Sequence, residues 1–110
     1  MVKNKRKGYV VERKIRLLLE KHGYRVIRAG GSFGEADLIC IKNKNCLFLQ
    51  VKSSRKKYFY YYGYDKEFLE GFPFYVVVDF GYGKIRITKP MNKIDINSGE
   101  DFENFLKKFK

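Results

Sequence analysis

The stretch Cys46-Leu47-Phe48-Leu49-Gln50-Val51-Lys52 constrains the fold more than any other part of the chain. Up to Gln50 both alternating faces of this strand are apolar. A strand buried on two sides needs cover above and below, and helices are the usual cover. It therefore belongs in the interior of a sheet, and Gln50 is the first residue to question. Its neighbours can be read from periodicity. Val11, Ile15, Leu18 and Leu19 have helical spacing between Gly8 and His22, with Gly23 as the stop. Tyr24 to Ala29 reads as a strand ended by the loop 30–34, and Asp37 to Ile41 as another, joined to Cys46–Lys52 across Lys42-Asn43-Lys44-Asn45. Asp65 to Glu70 predicts a short helix. Phe74–Phe80 and Lys84–Thr88 predict a hairpin through Gly81-Tyr82-Gly83. Ser98 predicts the N-cap of a helix running to about Phe109, with Phe102, Phe105, Leu106 and Phe109 as its inner stripe. The expected fold is α/β, with a mixed central sheet of about five strands and helices on both faces. No repeat or linker divides the 110 residues, so one domain over 1–110 is expected.

Charge narrows the partners. Lys and Arg number 24 against 12 Asp and Glu, a net charge of +12. A field of that size on a small domain favours polyanions. Solubility or adaptation to heat is the plainer explanation, but heat-adapted surfaces usually add Glu alongside Lys. No segment approaches the apolar length of a membrane span, and no helix sets a continuous basic face against a broad apolar one. An intracellular, cytoplasmic protein without a membrane partner is the default. Cys40 and Cys46 lie in apolar strand runs and read as free thiols, with no Cys/His cluster for zinc. His22, before Gly23, suits a helix end better than catalysis.

A register argument brings the polar residues together. If the turn is symmetric about Asn43 and Lys44, Asp37 faces Gln50 and Glu35 faces Lys52. Gln50 and Lys52 share one face of their strand. Glu12 lies beside the apolar stripe of the first helix, on the edge turned toward the sheet, whereas Glu20 points away. Two carboxylates, an amide oxygen and strand carbonyls are hard donors that suit Mg²⁺ or Mn²⁺. A nearby Lys could offset charge at a phosphate or help deprotonate a water. The competing reading is structural: Asp37 caps a turn, and Lys52 pairs with Glu35 at the surface. Residue types alone leave the two level.

The stretches Lys5-Arg6-Lys7-Gly8-Tyr9-Val10-Val11-Glu12-Arg13, Val26-Ile27-Arg28-Ala29-Gly30-Gly31-Ser32 and Asp37-Leu38-Ile39…Gln50-Val51-Lys52-Ser53 resemble three motifs of archaeal Holliday-junction resolvases. The resemblance runs through roughly the first 57 residues; beyond Lys57 only the order of elements still fits. It implies the restriction-endonuclease-like PD-(D/E)xK fold and a homodimer that cuts paired strands of a four-way DNA junction. It also implies that Glu12, Asp37, Gln50 and the Val51 carbonyl surround Mg²⁺, that Lys52 is catalytic, and that Ser32 supplies a hydroxyl to the scissile phosphate. Gln50 departs from the commoner Glu, which should weaken metal binding. Lys3, Lys5, Arg6, Lys7, Arg28, Arg55, Lys56 and Lys57 are candidate DNA contacts. The run Tyr58-Phe59-Tyr60-Tyr61-Tyr62 is read chiefly as core or dimer interface, with stacking on unpaired bases as the minority use. A restriction-type nuclease and a non-catalytic nucleic-acid-binding module on the same fold stand as alternatives.

Overall fold

The structure is a computed structural model that describes residues 2–30 and 35–108, with side chains from Gly8 onward. Helix α1 (Val2–Lys21) leads into strands β1 (Arg25–Arg28), β2 (Leu38–Lys42) and β3 (Asn45–Ser53). Then come β4 (Tyr58–Tyr60), β5 (Phe68–Leu69), β6 (Phe72–Asp79), β7 (Ile85–Thr88), β8 (Lys93–Asp95), β9 (Glu100–Asp101) and α2 (Phe102–Lys108). The main sheet runs β1-β2-β3-β6-β7-β9, with β5 paired to β6 beside that path; β4 and β8 form a separate two-stranded sheet. Strand β3 is interior, antiparallel to β2 and parallel to β6. Parallel neighbours need a long connection, and residues 54–71 supply it, carrying β4 and β5 on the way.

Two hydrophobic clusters sandwich the sheet. On one face Val11, Ile15 and Leu19 of α1 and Phe102, Phe105 and Leu106 of α2 pack on Leu38, Cys40, Leu47, Leu49 and Val77. On the other, Phe48, Val76 and Val78 meet Tyr61, Leu69 and Ile94. The α/β class and mixed sheet are as expected, but the cover differs. Both helices lie on one face, and the opposite face is closed by β4–β8 and β5. The apolar side chains at Leu69, Tyr61 and Ile94 provide the burial that a second helix was expected to give.

Local differences have physical causes. α1 begins at Val2 rather than Gly8, because Lys and Arg propagate a helix well and one glycine does not stop it. The segment predicted as a helix over 65–70 instead enters β5, since Glu70 and Gly71 take positive φ of 52° and 83° and make a tight turn into β6. Ser98 does not cap α2: its hydroxyl accepts from the Asp95 N–H and donates to Asp95 Oδ1. Asp101 is the cap, its carboxylate accepting the Asn104 N–H at 3.2 Å. Phe109 lies outside the described residues. Cys40 is buried and Cys46 half-buried, both free, and burial pushes both thiols up. Among the described residues no helix is long and apolar enough to cross a membrane.

Candidate active site

The turn between β2 and β3 is the two-residue kind with Asn43 and Lys44 both at positive φ. It sets Leu38 opposite Leu49 and Lys42 opposite Asn45, the register expected from symmetry. The ladder ends at Leu38. One residue earlier, the Asp37 N–H donates to the Leu49 carbonyl instead of continuing opposite Gln50. β2 therefore peels away while β3 continues to Ser53. The Asp37 side chain takes over the vacated pairing: Oδ2 accepts the Val51 N–H at 2.7 Å and the Gln50 amide N–H at 3.3 Å.

This arrangement leaves oxygens open. No described residue donates to Asp37 Oδ1. With its amide nitrogen on Asp37, Gln50 has its amide oxygen left to offer. In an extended strand the N–H and C=O of one residue point to the same side. The Val51 carbonyl therefore points, with its N–H, toward the edge that β2 has left. Lys52, two residues on from Gln50, shares with it one wall of a cavity of about 370 Å³. Among the described residues Lys52 forms no ion pair, with Glu35 or any other acid. Glu35 is exposed and outside the ladder, so its expected place opposite Lys52 is not realised.

Glu12 approaches from the helix face. Its side chain is 19% exposed and accepts from Arg28 Nε at 2.6 Å. Arg28 pairs with Leu38 across β1 and β2, and Ala29 hydrogen-bonds the Asp37 carbonyl. The Glu12–Arg28 pair thus sits one step along the sheet from Asp37. Arg28, read as a phosphate contact, is half-exposed and engaged with Glu12, and its guanidinium lies 5.8 Å from the Tyr9 ring centroid. Arg55, Lys56 and Lys57 are exposed just past β3, with no carboxylate partner among the described residues. Ser32 and the side chains of Lys3, Lys5, Arg6 and Lys7 lie outside the described residues.

The oxygen set fits a hard divalent ion in kind. No three His, Cys, Asp or Glu side chains gather among the described residues. A set begun by Asp37 and Glu12 would therefore be completed by the neutral oxygens of Gln50 and Val51.

The core reading of the 58–62 run holds for Tyr61, but its place beside the site was not expected, and a second feature, at Asp79, was not expected at all. Tyr61 is buried beneath the cavity, donating to the Tyr64 carbonyl at 2.8 Å. Burial, then the charges of Asp37, Asp65 and Glu35, push its phenol up to about 12. Alternation along 58–62 would have turned it inward with Phe59. Gly63 lies so close that a Cβ there would come within 2.6 Å of the Tyr61 hydroxyl. The second feature is Asp79, 4% exposed, whose Oδ2 accepts from Lys14 Nζ at 2.8 Å and whose Oδ1 accepts the Gly81 N–H at 2.8 Å. An acid ending the apolar run Phe74–Val78 was the available signal.

The sequence profile of the family described as archaeal Holliday junction resolvase (hjc) matches residues 3–73, well over half of the chain. The crossover junction endodeoxyribonuclease Hjc of Methanocaldococcus jannaschii is 46% identical over 55 residues, which is 50% of this chain and 41% of that protein. The chain thus spans under half the length of that relative. The structure of Archaeoglobus fulgidus Hjc, a Holliday junction resolvase from an archaeal hyperthermophile, superposes with a TM-score of 0.71 at 22% identity, covering 94% of this chain and 98% of that one. That likeness shows a restriction-endonuclease-like fold. With a profile match that takes in α1, the β2–β3 hairpin and Lys52 together, the chain belongs to the archaeal Holliday junction resolvase family.

Proposed function

We propose that this chain is a structure-selective, metal-dependent DNA endonuclease that resolves four-way junctions by hydrolysing a phosphodiester on each of two strands. The observation that carries the reading is Asp37, with one oxygen fixed by Val51 and Gln50 and the other meeting no donor among the described residues. Glu12, Asp37, the Gln50 amide oxygen and the Val51 carbonyl would hold Mg²⁺, with Mn²⁺ as a substitute. When bound, the ion supplies polarisation of the phosphate and a more acidic water. Lys52, with no ion pair among the described residues, brings an ammonium to the same wall, where it would offset charge building on the phosphate oxygens. Arg28 would exchange Glu12 for a DNA phosphate, which frees the carboxylate for the metal. Val51 N–H keeps Asp37 oriented throughout. Ser32 would add a hydroxyl to the phosphate, and the basic residues at 3, 5, 6, 7 and 55–57 would follow the backbone.

A junction has two strands to cut, and a two-fold homodimer would present two equivalent sites. Phe68 and Phe72, 57% and 44% exposed on the β5–β6 hairpin, offer an apolar surface for it. The outer tyrosines of the 58–62 run suit it less, since Lys56 and Lys93 lie among them and a second copy would bring like charge.

The test is cleavage of a synthetic four-way junction beside linear duplex of matched sequence, with Mg²⁺ and with EDTA. Junction cleavage that EDTA abolishes, with the duplex largely intact, is expected. Equal cutting of both would favour a restriction-type nuclease, and tight binding without cleavage a non-catalytic module.

A further inference from the structure

We infer that the outer face of the β4–β8 sheet, continued by Tyr62, is a stacking platform for unpaired nucleobases of the strand that enters the catalytic cavity. The inference rests on the nuclease reading and adds what the site does with the bases. Alternation divides the aromatic run in two. Phe59 and Tyr61 pack inward against the core. Tyr60 and Tyr62 are left 50% and 86% exposed, beside the half-buried Tyr58. Tyr60 and Tyr62 line the same cavity as Gln50 and Lys52. At about 370 Å³ the cavity exceeds the ~150 Å³ that accommodates a benzene-sized ring. A nucleotide whose phosphate rests against Lys52 therefore carries its base to Tyr60 and Tyr62.

The platform carries net positive charge, Lys56 and Lys93 against Asp95, the cross-strand partner of Tyr58. Tyr58 and Tyr60 meet edge-on at 5.4 Å. The Lys93 ammonium lies 5.1 Å from the Tyr58 centroid and 5.8 Å from that of Tyr60, with Lys56 at 5.6 Å from Tyr58. Neither lysine has a carboxylate partner among the described residues. Tyr62 is held on both sides, by buried Tyr61, whose N–H donates to the Asn92 carbonyl at 2.8 Å, and by Gly63 against the Tyr61 ring. Exposed aromatics interleaved with lysines are the chemistry of single-strand binding. A second copy of this basic chain would be repelled by the same lysines. Bases in duplex are already stacked and paired, and extruding one costs energy that a strand opened at a branch has already spent. The platform thus favours branched over linear DNA without reading sequence.

The test uses the full chain without metal, so that binding is measured whether or not the protein cleaves. Affinities for a (dT)12 oligonucleotide, for duplex, and for a four-way junction carrying 2-aminopurine at the branch are compared. Tyr60→Ala and Tyr62→Ala should each weaken (dT)12 binding by roughly tenfold and restore 2-aminopurine emission at the junction. Tyr62→Phe should stay within about twofold of wild type, because the ring face is kept. Duplex affinity should stay nearly unchanged. Lys93→Gln should lower the slope of log affinity against log salt by about one. Tyr62 is almost wholly exposed, so its truncation leaves the core intact, and an unchanged melting temperature confirms it. Equal losses on duplex and (dT)12, or no loss on (dT)12, would overturn the inference even with junction cleavage intact. A dimer by light scattering that becomes monomeric in Tyr62→Ala would overturn it too, by making the face a self-interface. Failure of the nuclease reading would instead appear as absent cleavage with this binding pattern retained.

Discussion

Asp37 and Asp79 are both carboxylates at strand ends beside the central β3, and their surroundings are opposite. Asp79 is 4% exposed, with Lys14 on one oxygen and the Gly81 N–H on the other. Asp37 is half-buried, accepts on one carboxylate oxygen from Val51 and Gln50, and forms no ion pair among the described residues. A carboxylate whose valences are all met is a structural part. One held firmly on one side and open on the other is free to accept a ligand, which under the proposed function would be a divalent cation.

The largest effect expected is on turnover. Lys52→Ala should reduce junction cleavage at least ~100-fold with junction binding nearly intact and the melting temperature little changed. Undiminished turnover would remove Lys52 from the centre. The closed acid should respond in stability instead. Lys14→Met strands a buried charge on Asp79. Breaking a fully buried pair costs ~3–5 kcal/mol, but Lys14 is 50% exposed, so water moderates the loss to about 2–3 kcal/mol. Asp79→Asn should cost less, about 1–2 kcal/mol, because it leaves no stranded charge. Urea unfolding of the two variants would give this order, and the reverse order would mean that water already shares Asp79.

Alkaline pH addresses the floor of the open site. Tyr61 has its phenol raised to about 12 by burial first and by Asp37, Asp65 and Glu35 after it. An unfolded tyrosine titrates near ~10. Between those values the unfolded chain loses the proton while the folded one keeps it, so Tyr61's contribution is full below pH ~10 and falls as pH rises through about 12. Tyr61→Phe should be less stable near neutrality by about 1 kcal/mol, having lost a hydrogen bond, and should lose less of its stability between pH ~9 and ~11. Parallel pH profiles would show that Tyr61 does not titrate differently on folding.

The finest effect concerns Gln50. Gln50→Glu adds a charge to the two carboxylates of the proposed metal site, and should lower the Mg²⁺ concentration for half-maximal cleavage several-fold, about 1 kcal/mol. Gln50→Ala should raise it. A midpoint unmoved by Gln50→Ala would mean that Gln50 only orients Asp37.

The difference between the two acids also marks what the sequence could reveal. The turn centre at Asn43 and Lys44 could be read because a two-residue hairpin fixes the register, and that brought Asp37 to Gln50. The departure of Asp37 from the ladder could not, since it depends on where β2 stops pairing. Glu12 was placed correctly at the sheet-facing edge of α1, yet its engagement with Arg28 joins residues on two elements whose approach only the packed sheet fixes. The β4–β8 sheet went unseen because Tyr58–Tyr60 and Lys93–Asp95 pair over a long separation. The turn at Glu70-Gly71 had a signal in its glycine, which the apparent helical spacing of 65–70 overrode.

The most direct measurement sets the two acids side by side: single-turnover cleavage of a four-way junction at saturating Mg²⁺ by Asp37→Asn and Asp79→Asn, below the melting temperature of either. Asn keeps an oxygen for Val51 N–H at one position and for Gly81 N–H at the other, so each variant loses chiefly a charge. Asp37→Asn should fall at least ~100-fold, while Asp79→Asn should stay within a few-fold of wild type despite its lower stability. Cleavage preserved in Asp37→Asn, or lost equally in both while they remain folded, would contradict the proposed roles of the two acids.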